Sequence, residues 1–137
     1  MTMRADDWVE RAKVARRAGD RESALDGYTQ AVKAWEDAGE ALKAAHALRH
    51  AAELLVELGR AAEAEQSIGV VLAVYRERGV GGLELANALR VAGLAHEAAG
   101  DRVGARESWV AARELYEAAG VEAGVVEADR RLAGLGS

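Results

Sequence analysis

The sequence predicts an all-α stack of paired helices, and three observations predict it. Glycines recur at an even step, at Gly19, Gly39, Gly59, Gly79, Gly100 and Gly120. Between them apolar residues return at helical spacing, as with Leu48, Ala51, Ala52, Leu55 and Leu58 in HALRHAAELLVELG. Pro and Phe are both absent from the 137 residues. Nothing therefore interrupts a helix, and the core must be built largely from Ala, Leu and Val, which suits closely packed helices.

Each segment between glycines holds about five helical turns and ends on the residue that best occupies a left-handed C′ position. The expected helices are 4–18, 21–38, 41–58, 61–78, 83–99 and 102–119, followed by a shorter one over 122–135. Asp20 and Asp101 stand directly after a glycine and can cap the second and sixth helices. GVGG at 79–82 reads as the turn between the fourth and fifth helices, not as a phosphate cradle, because no strand precedes it. Such short connections force consecutive helices to run antiparallel. No linker or composition shift divides the chain, so 1–137 is expected to form one domain.

Shifting the chain by 40 or 41 residues exposes an internal repeat. Gly19, Gly59 and Gly100 coincide, and so do Ala24, Ala64 and Ala105. Tyr28, Ile68 and Trp109 form a bulky column, and Trp35, Tyr75 and Tyr116 an aromatic one. Trp8 aligns with Leu48 and Leu89. The physical roles follow. Gly100 ends one helix, Ala105 allows the partner helix to approach, and Trp109 fills the space between them. Gly93, like its counterparts Ala12 and Ala52, sits where a larger side chain would hold the pair apart. The units are 4–39, 41–79 and 83–120. LRVAGLA (89–95) returns as RRLAGLG (130–136), so 122–135 is expected to cap the stack, with Leu132 and Leu135 inward and Arg130 and Arg131 in water. Gly27, Gly69 and Gly104 share no column, and the repeat offers no reason for them.

Composition excludes several classes. With no Cys there is no disulfide framework, thiol nucleophile or thiolate metal site. A net charge of −5 weighs against nucleic acid or an anionic membrane as the main partner. No apolar run reaches membrane-spanning length, and MTMRADDWVERAK lacks the apolar core of a signal peptide, so a cytoplasmic location is expected. Ser23, Ser67, Ser108 and Ser137 have no His or acid at motif spacing, and no catalytic mechanism can be written. His46 and His50, four apart, share a helix face as a metal pair would, yet only Glu53 or His96 could complete a site, and no HExxH pattern is present. No metal or cofactor is expected.

At Leu89, Gly93, His96, Gly100-Asp101, Ala105, Trp109 and Ala112 the chain resembles the tetratricopeptide repeat family. The longer unit is similar to a variant found in many bacterial regulatory and adaptor proteins. The resemblance implies a right-handed α-solenoid of three helical hairpins with a C-terminal capping helix. It also implies a concave groove lined by the first helix of each hairpin, and a scaffold that binds protein or peptide. Carried over by column, the groove holds the ladder Val9, Arg49, Arg90 and Arg131, with Lys13, Arg16, His46, His50, Glu53 and Asn87 nearby. Guanidinium groups one repeat apart can grip the carboxylates of an extended acidic peptide. The family's arrangement for a peptide's C-terminal carboxylate is not carried over, because its Asn positions hold Lys13, Glu53 and Leu94. The alternative for these arginines is pairing with Glu10, Glu53, Glu57 and Glu97 between helices. Two function classes follow: an adaptor that binds a peptide or helix of a partner in the groove, or a self-associating scaffold or detached regulatory module that binds through its ends. The charged ends favour a monomer or weak dimer.

Overall fold

The computed structural model describes residues 3–136. Among them seven helices and no strand occur: α1 (Ala5–Arg17), α2 (Arg21–Asp37), α3 (Ala41–Glu57), α4 (Ala61–Arg78), α5 (Gly82–Ala99), α6 (Arg102–Ala119) and α7 (Glu122–Leu135). Each helix packs against its neighbours in sequence, and α3 also meets α5. The chain is an all-α, solenoid-like stack in which the odd-numbered helices form a row. The helix limits agree with the sequence expectation to within one residue at each end.

The agreement has a local cause. The six repeat-spaced glycines all take positive φ, from 68° at Gly79 to 82° at Gly100. That backbone lets the next residue donate to the carbonyl five positions back, as Asp101 does to His96 at 2.9 Å and Arg60 to Leu55 at 2.8 Å. A side chain at Gly100 would strain this turn and leave the last carbonyls of α5 unsatisfied. The caps form as expected: Asp20 accepts from the Ser23 amide at 3.1 Å and Asp101 from the Gly104 amide at 2.9 Å.

The interior is a series of aromatic or aliphatic wedges between helices that Ala and Gly allow to close. Trp109 is fully buried, with Ala105, Ala128 and Leu135 around it and Leu94 and Leu132 at its edge. A methyl group on Gly93 would lie 2.6 Å from the indole, so that position must stay bare. Tyr28 and Ile68 fill the same place in the first two hairpins and are also buried. The structure supplies reasons for two of the three stray glycines. Gly27 lies against α1, where a methyl would meet the Ala12 methyl at 2.9 Å. Gly104 makes room for the capping Asp101 carboxylate and the His96 ring. Nothing approaches Gly69, and nothing in the structure explains it.

At α7, Leu135 is buried and Leu132 half-buried, as the repeat pattern implies, and Arg130 is exposed. Arg131 departs from the expectation of a residue in water. It is half-buried, with its guanidinium carbon 5.8 Å from the centre of the Trp109 ring and Nη1 3.5 Å from Glu97. The ring it faces explains this, since a long cationic side chain shields an indole while holding its charge near water.

Candidate functional site

The odd-helix row carries a ladder of ion pairs. Arg16 on α1 donates to Glu53 on α3 at 3.1 Å, and Arg90 on α5 reaches the other Glu53 oxygen at 2.9 Å. Arg90 then donates to Glu127 on α7 at 2.6 Å. Each rung is 37 residues from the last, about one repeat less one helical turn, so the four side chains alternate in sign along four successive odd helices. Burial opposes charge on Glu53, but hydrogen bonds and charge from Arg90 and Arg16 outweigh it and hold the carboxyl below the usual range. Burial likewise opposes charge on Arg90, and Glu127 and Glu53 overcome it, so Arg90 stays cationic. Arg16 and Arg21 also share Glu57.

A second set of bonds ties odd helices to the aromatic column. Arg49 donates to Glu84 at 2.9 Å and to the Tyr75 hydroxyl at 3.3 Å, while His46 Nδ1 lies 2.6 Å from that hydroxyl. In the third hairpin Tyr116 donates to Asn87 at 2.7 Å, over the same 29-residue step as His46 and Tyr75. His50 stacks on Tyr28, with ring centres 5.0 Å apart. Burial, reinforced by Arg49, Arg16 and Lys13 and opposed by Glu53, pushes the His50 imidazole down to about 4. His46 is lowered too, chiefly by burial. Both rings are therefore neutral at pH 7.

Of the expected groove residues, His46, Arg49, His50, Glu53, Asn87, Arg90 and Arg131 come together along α3, α5 and α7, and Lys13 lies on α1 beside them. The arginines are not free. Arg90 holds Glu53 and Glu127, Arg131 holds Glu97, and Arg49 holds Glu84, whereas Glu10 pairs with Lys13. Glu53 is half-buried between Arg16 and Arg90, while Glu57 is exposed and pairs with Arg16 and Arg21. His46 and His50 do not converge on a common ligand point, since each is engaged by a different tyrosine.

Three open depressions lie along this row. One of about 520 Å³ is bordered by Glu53, Arg90, Glu97 and Arg131, and one of about 130 Å³ by Arg49, Asn87 and Arg90. The third, about 290 Å³, lies between α1 and α3 and is lined by Val9, Lys13, Tyr28, Trp35, Lys43 and His46, among others. Tyr28, Trp35 and Lys43 were not among the groove residues expected from sequence. A signal was present: Lys13 and Lys43 occupy the columns of Glu53 and Glu84, a reversal of charge between repeats.

One cluster with metal-ligand spacing occurs among the described residues: Glu65, His96 and Asp101, whose donor atoms lie within 4.8 Å of one another. All three are already engaged, His96 Nδ1 with Glu65 at 2.7 Å and Asp101 with the first turn of α6. The group ties α4 to the end of α5. Among the described residues no helix is long and apolar enough to cross a membrane. Compared with protein-family models and with curated proteins, the chain matches none.

Proposed function

We propose that the chain is a non-catalytic protein-interaction module of tetratricopeptide type, holding a peptide or helix of a partner protein along its odd-helix face. The observation that carries this reading is the run of three depressions on that one face. In the two beside Arg90 the polar side chains are fixed by neighbouring helices and so are set in place before a ligand arrives. Such preorganisation lowers the entropic cost of binding. Adaptor proteins of bacteria with long tetratricopeptide units supply the analogy for role and for a cytoplasmic location. The partner is a protein, and nucleic acid, membrane and cofactor have no part in the reading.

The pairing of the arginines sharpens the chemistry. An acidic segment over Arg90 must compete with Glu53 and Glu127, which already neutralise it. Recognition there is an exchange of carboxylates and gains little from charge alone. The test is titration of isotope-labelled protein with a panel of short acidic peptides, followed by amide NMR. Shifts confined to α1, α3, α5 and α7 support the reading, and added salt weakens the binding. In Arg49→Ala/Arg90→Ala the affinity falls even at temperatures where circular dichroism shows both proteins folded. If every peptide leaves the odd-helix resonances unmoved at millimolar concentration, the reading fails.

A second reading, self-association through the outer helices, draws on exposed Val14 of α1 and on Val103, Val110 and Val126 of α6 and α7. Charged neighbours such as Arg17 and Arg130 surround these valines, and burying unpaired ions costs several kcal/mol. A monomer or weak dimer is expected. Light scattering at micromolar concentration checks this, and a stable dimer with α1 at its interface would promote the second reading.

A further inference from the structure

The repeat makes its clefts comparable position by position, and the first cleft differs from the second in one direction. Between α3 and α5, Arg49 reaches across to Glu84 and caps the Tyr75 hydroxyl, closing the space over the aromatic floor. The corresponding residues between α1 and α3 are Val9, Lys43 and Trp35. Val9 is too short to bridge, and the cleft is left open at about 290 Å³, against about 130 Å³ beside Arg49. Trp35 is only half-buried, whereas Tyr75 and Tyr116 are covered.

Charge changes along with shape. Lys13 and Lys43 stand where the second cleft has Glu53 and Glu84. Lys43 lies 4.7 Å from the centre of the Trp35 ring and has no carboxylate partner among the described residues. Lys13 has only an exposed contact of 3.6 Å with Glu10. Among the described residues Asp6 is the one acid lining the cleft, so two lysines face one aspartate, while Arg49, Arg90 and Arg131 are already matched.

We propose that the cleft between α1 and α3 is the anchor site for the partner: a large apolar side chain seats on Trp35 between Val9 and Ala47, and carboxylates on either side of it meet Lys13 and Lys43. This rests on the peptide-binding reading of the odd-helix face and gives it a register. An aromatic or long aliphatic side chain suits the floor, because apolar area supplies affinity there while flanking charge sets orientation. The central ladder then makes the secondary contacts, by exchange of carboxylates, beside the anchor.

The test uses isotope-labelled full chain and capped Gly-Glu-Glu-X-Glu-Glu-Gly peptides, with X as Leu, Phe or Ala. The Trp35 indole N–H resonance, assigned with Trp35→Phe, is the reporter. The Leu or Phe peptide is expected to shift it, with the Ala peptide at least tenfold weaker. Val9→Arg, which restores the residue of the other repeats, and the exposed Lys43→Glu are each expected to weaken binding at least tenfold with an unchanged circular-dichroism spectrum. If peptides bind but the shifts lie around Arg90 and Arg131 and both variants bind normally, the anchor assignment falls while the peptide-binding reading stands. If no peptide moves any odd-helix resonance, that reading falls and takes the anchor with it. A Trp35 shift on simple dilution of the protein would instead assign the cleft to a second copy and overturn the proposal.

Discussion

The Trp109 junction and the Arg–Glu ladder are both products of the same repeat, yet they differ in what they exclude. Around Trp109 the walls are Gly93, Ala105, Ala128 and Leu135, and the indole has no exposed surface. On the ladder, Arg16, Glu53 and Arg90 keep between 23% and 31% of their side-chain surface in water. Dry contacts add dispersion and apolar burial, whereas half-wet charges recover mainly what desolvation took from them. The lesson is that the junction sets stability and the ladder sets alignment of the odd helices. The largest test of that division is Trp109→Ala, expected to cost about 3–5 kcal/mol as a fully buried aromatic truncation. Chemical denaturation followed by far-ultraviolet circular dichroism measures it, and a cost near that of a ladder substitution would erase the distinction.

Acid should separate the two regions next, because the half-buried groups with clearly shifted pKa values, His50, His46 and Glu53, lie on the ladder face. The Trp109 junction meets an acid where its indole N–H donates to Glu97 at 2.6 Å. The folded pKa of His50 is about 4, against an ordinary value of 6.5. Between those values the unfolded chain binds more protons, so stability is full above about pH 6.5 and is lost as pH falls toward 4. His46, lowered by burial, acts with the same sign. Glu53, held below its ordinary value, adds a loss at lower pH as its carboxylate protonates. Allowing for its partial exposure, His50 contributes about 2 kcal/mol over this window. Denaturation midpoints at pH 7 and pH 5 check it, and His50→Gln should flatten the difference. An equal difference in the variant would mean that other groups govern the acid response.

Glu53→Gln probes the ladder itself. It leaves Arg16 and Arg90 half-buried, each with another acid in reach, Glu57 for the first and Glu127 for the second. The expected cost is therefore only about 1–2 kcal/mol, at the low end for a charged hydrogen bond. The decisive readout is alignment: residual dipolar couplings should show α1 and α3 reoriented while the Trp109 indole resonance stays in place. A moved indole would show that the two regions are coupled.

The same contrast explains what could be read from sequence. Helix ends were legible because each is decided locally, by one glycine and in two cases by the aspartate after it. The Trp109 wedge was legible because Gly93 and Ala105 lie within sixteen residues of it and repeat as columns. Glu53, Glu57 and Glu97 were legible as partners of the arginines, whereas Glu84 and Glu127 were not, since Arg49 with Glu84 and Arg90 with Glu127 depend on how neighbouring hairpins are offset by a helical turn. The alternating Arg16, Glu53, Arg90, Glu127 step of 37 residues is present in the sequence but out of step with the 40- or 41-residue repeat. The open first cleft was hidden for a related reason. Val9 is unremarkable as a residue and informative only beside what Arg49 does in the next repeat.

The smallest effect comes from a glycine that neither region uses. Gly69 lies in the interior of α4, exposed, and a methyl group there would meet nothing within 4 Å. Its backbone is helical and its φ is not positive. Glycine in that setting keeps conformational freedom in the unfolded chain that alanine lacks, so Gly69→Ala should stabilise the fold by about 0.5–1 kcal/mol. Gly93→Ala, the identical substitution one hairpin away, must push against the rigid indole of Trp109 and should destabilise. Thermal melts of the two variants form a matched pair in which helix propensity gains equally and only the neighbour differs. If both raise the midpoint, the contact at Gly93 is not close enough to matter, and the dry junction loses its claim to set stability.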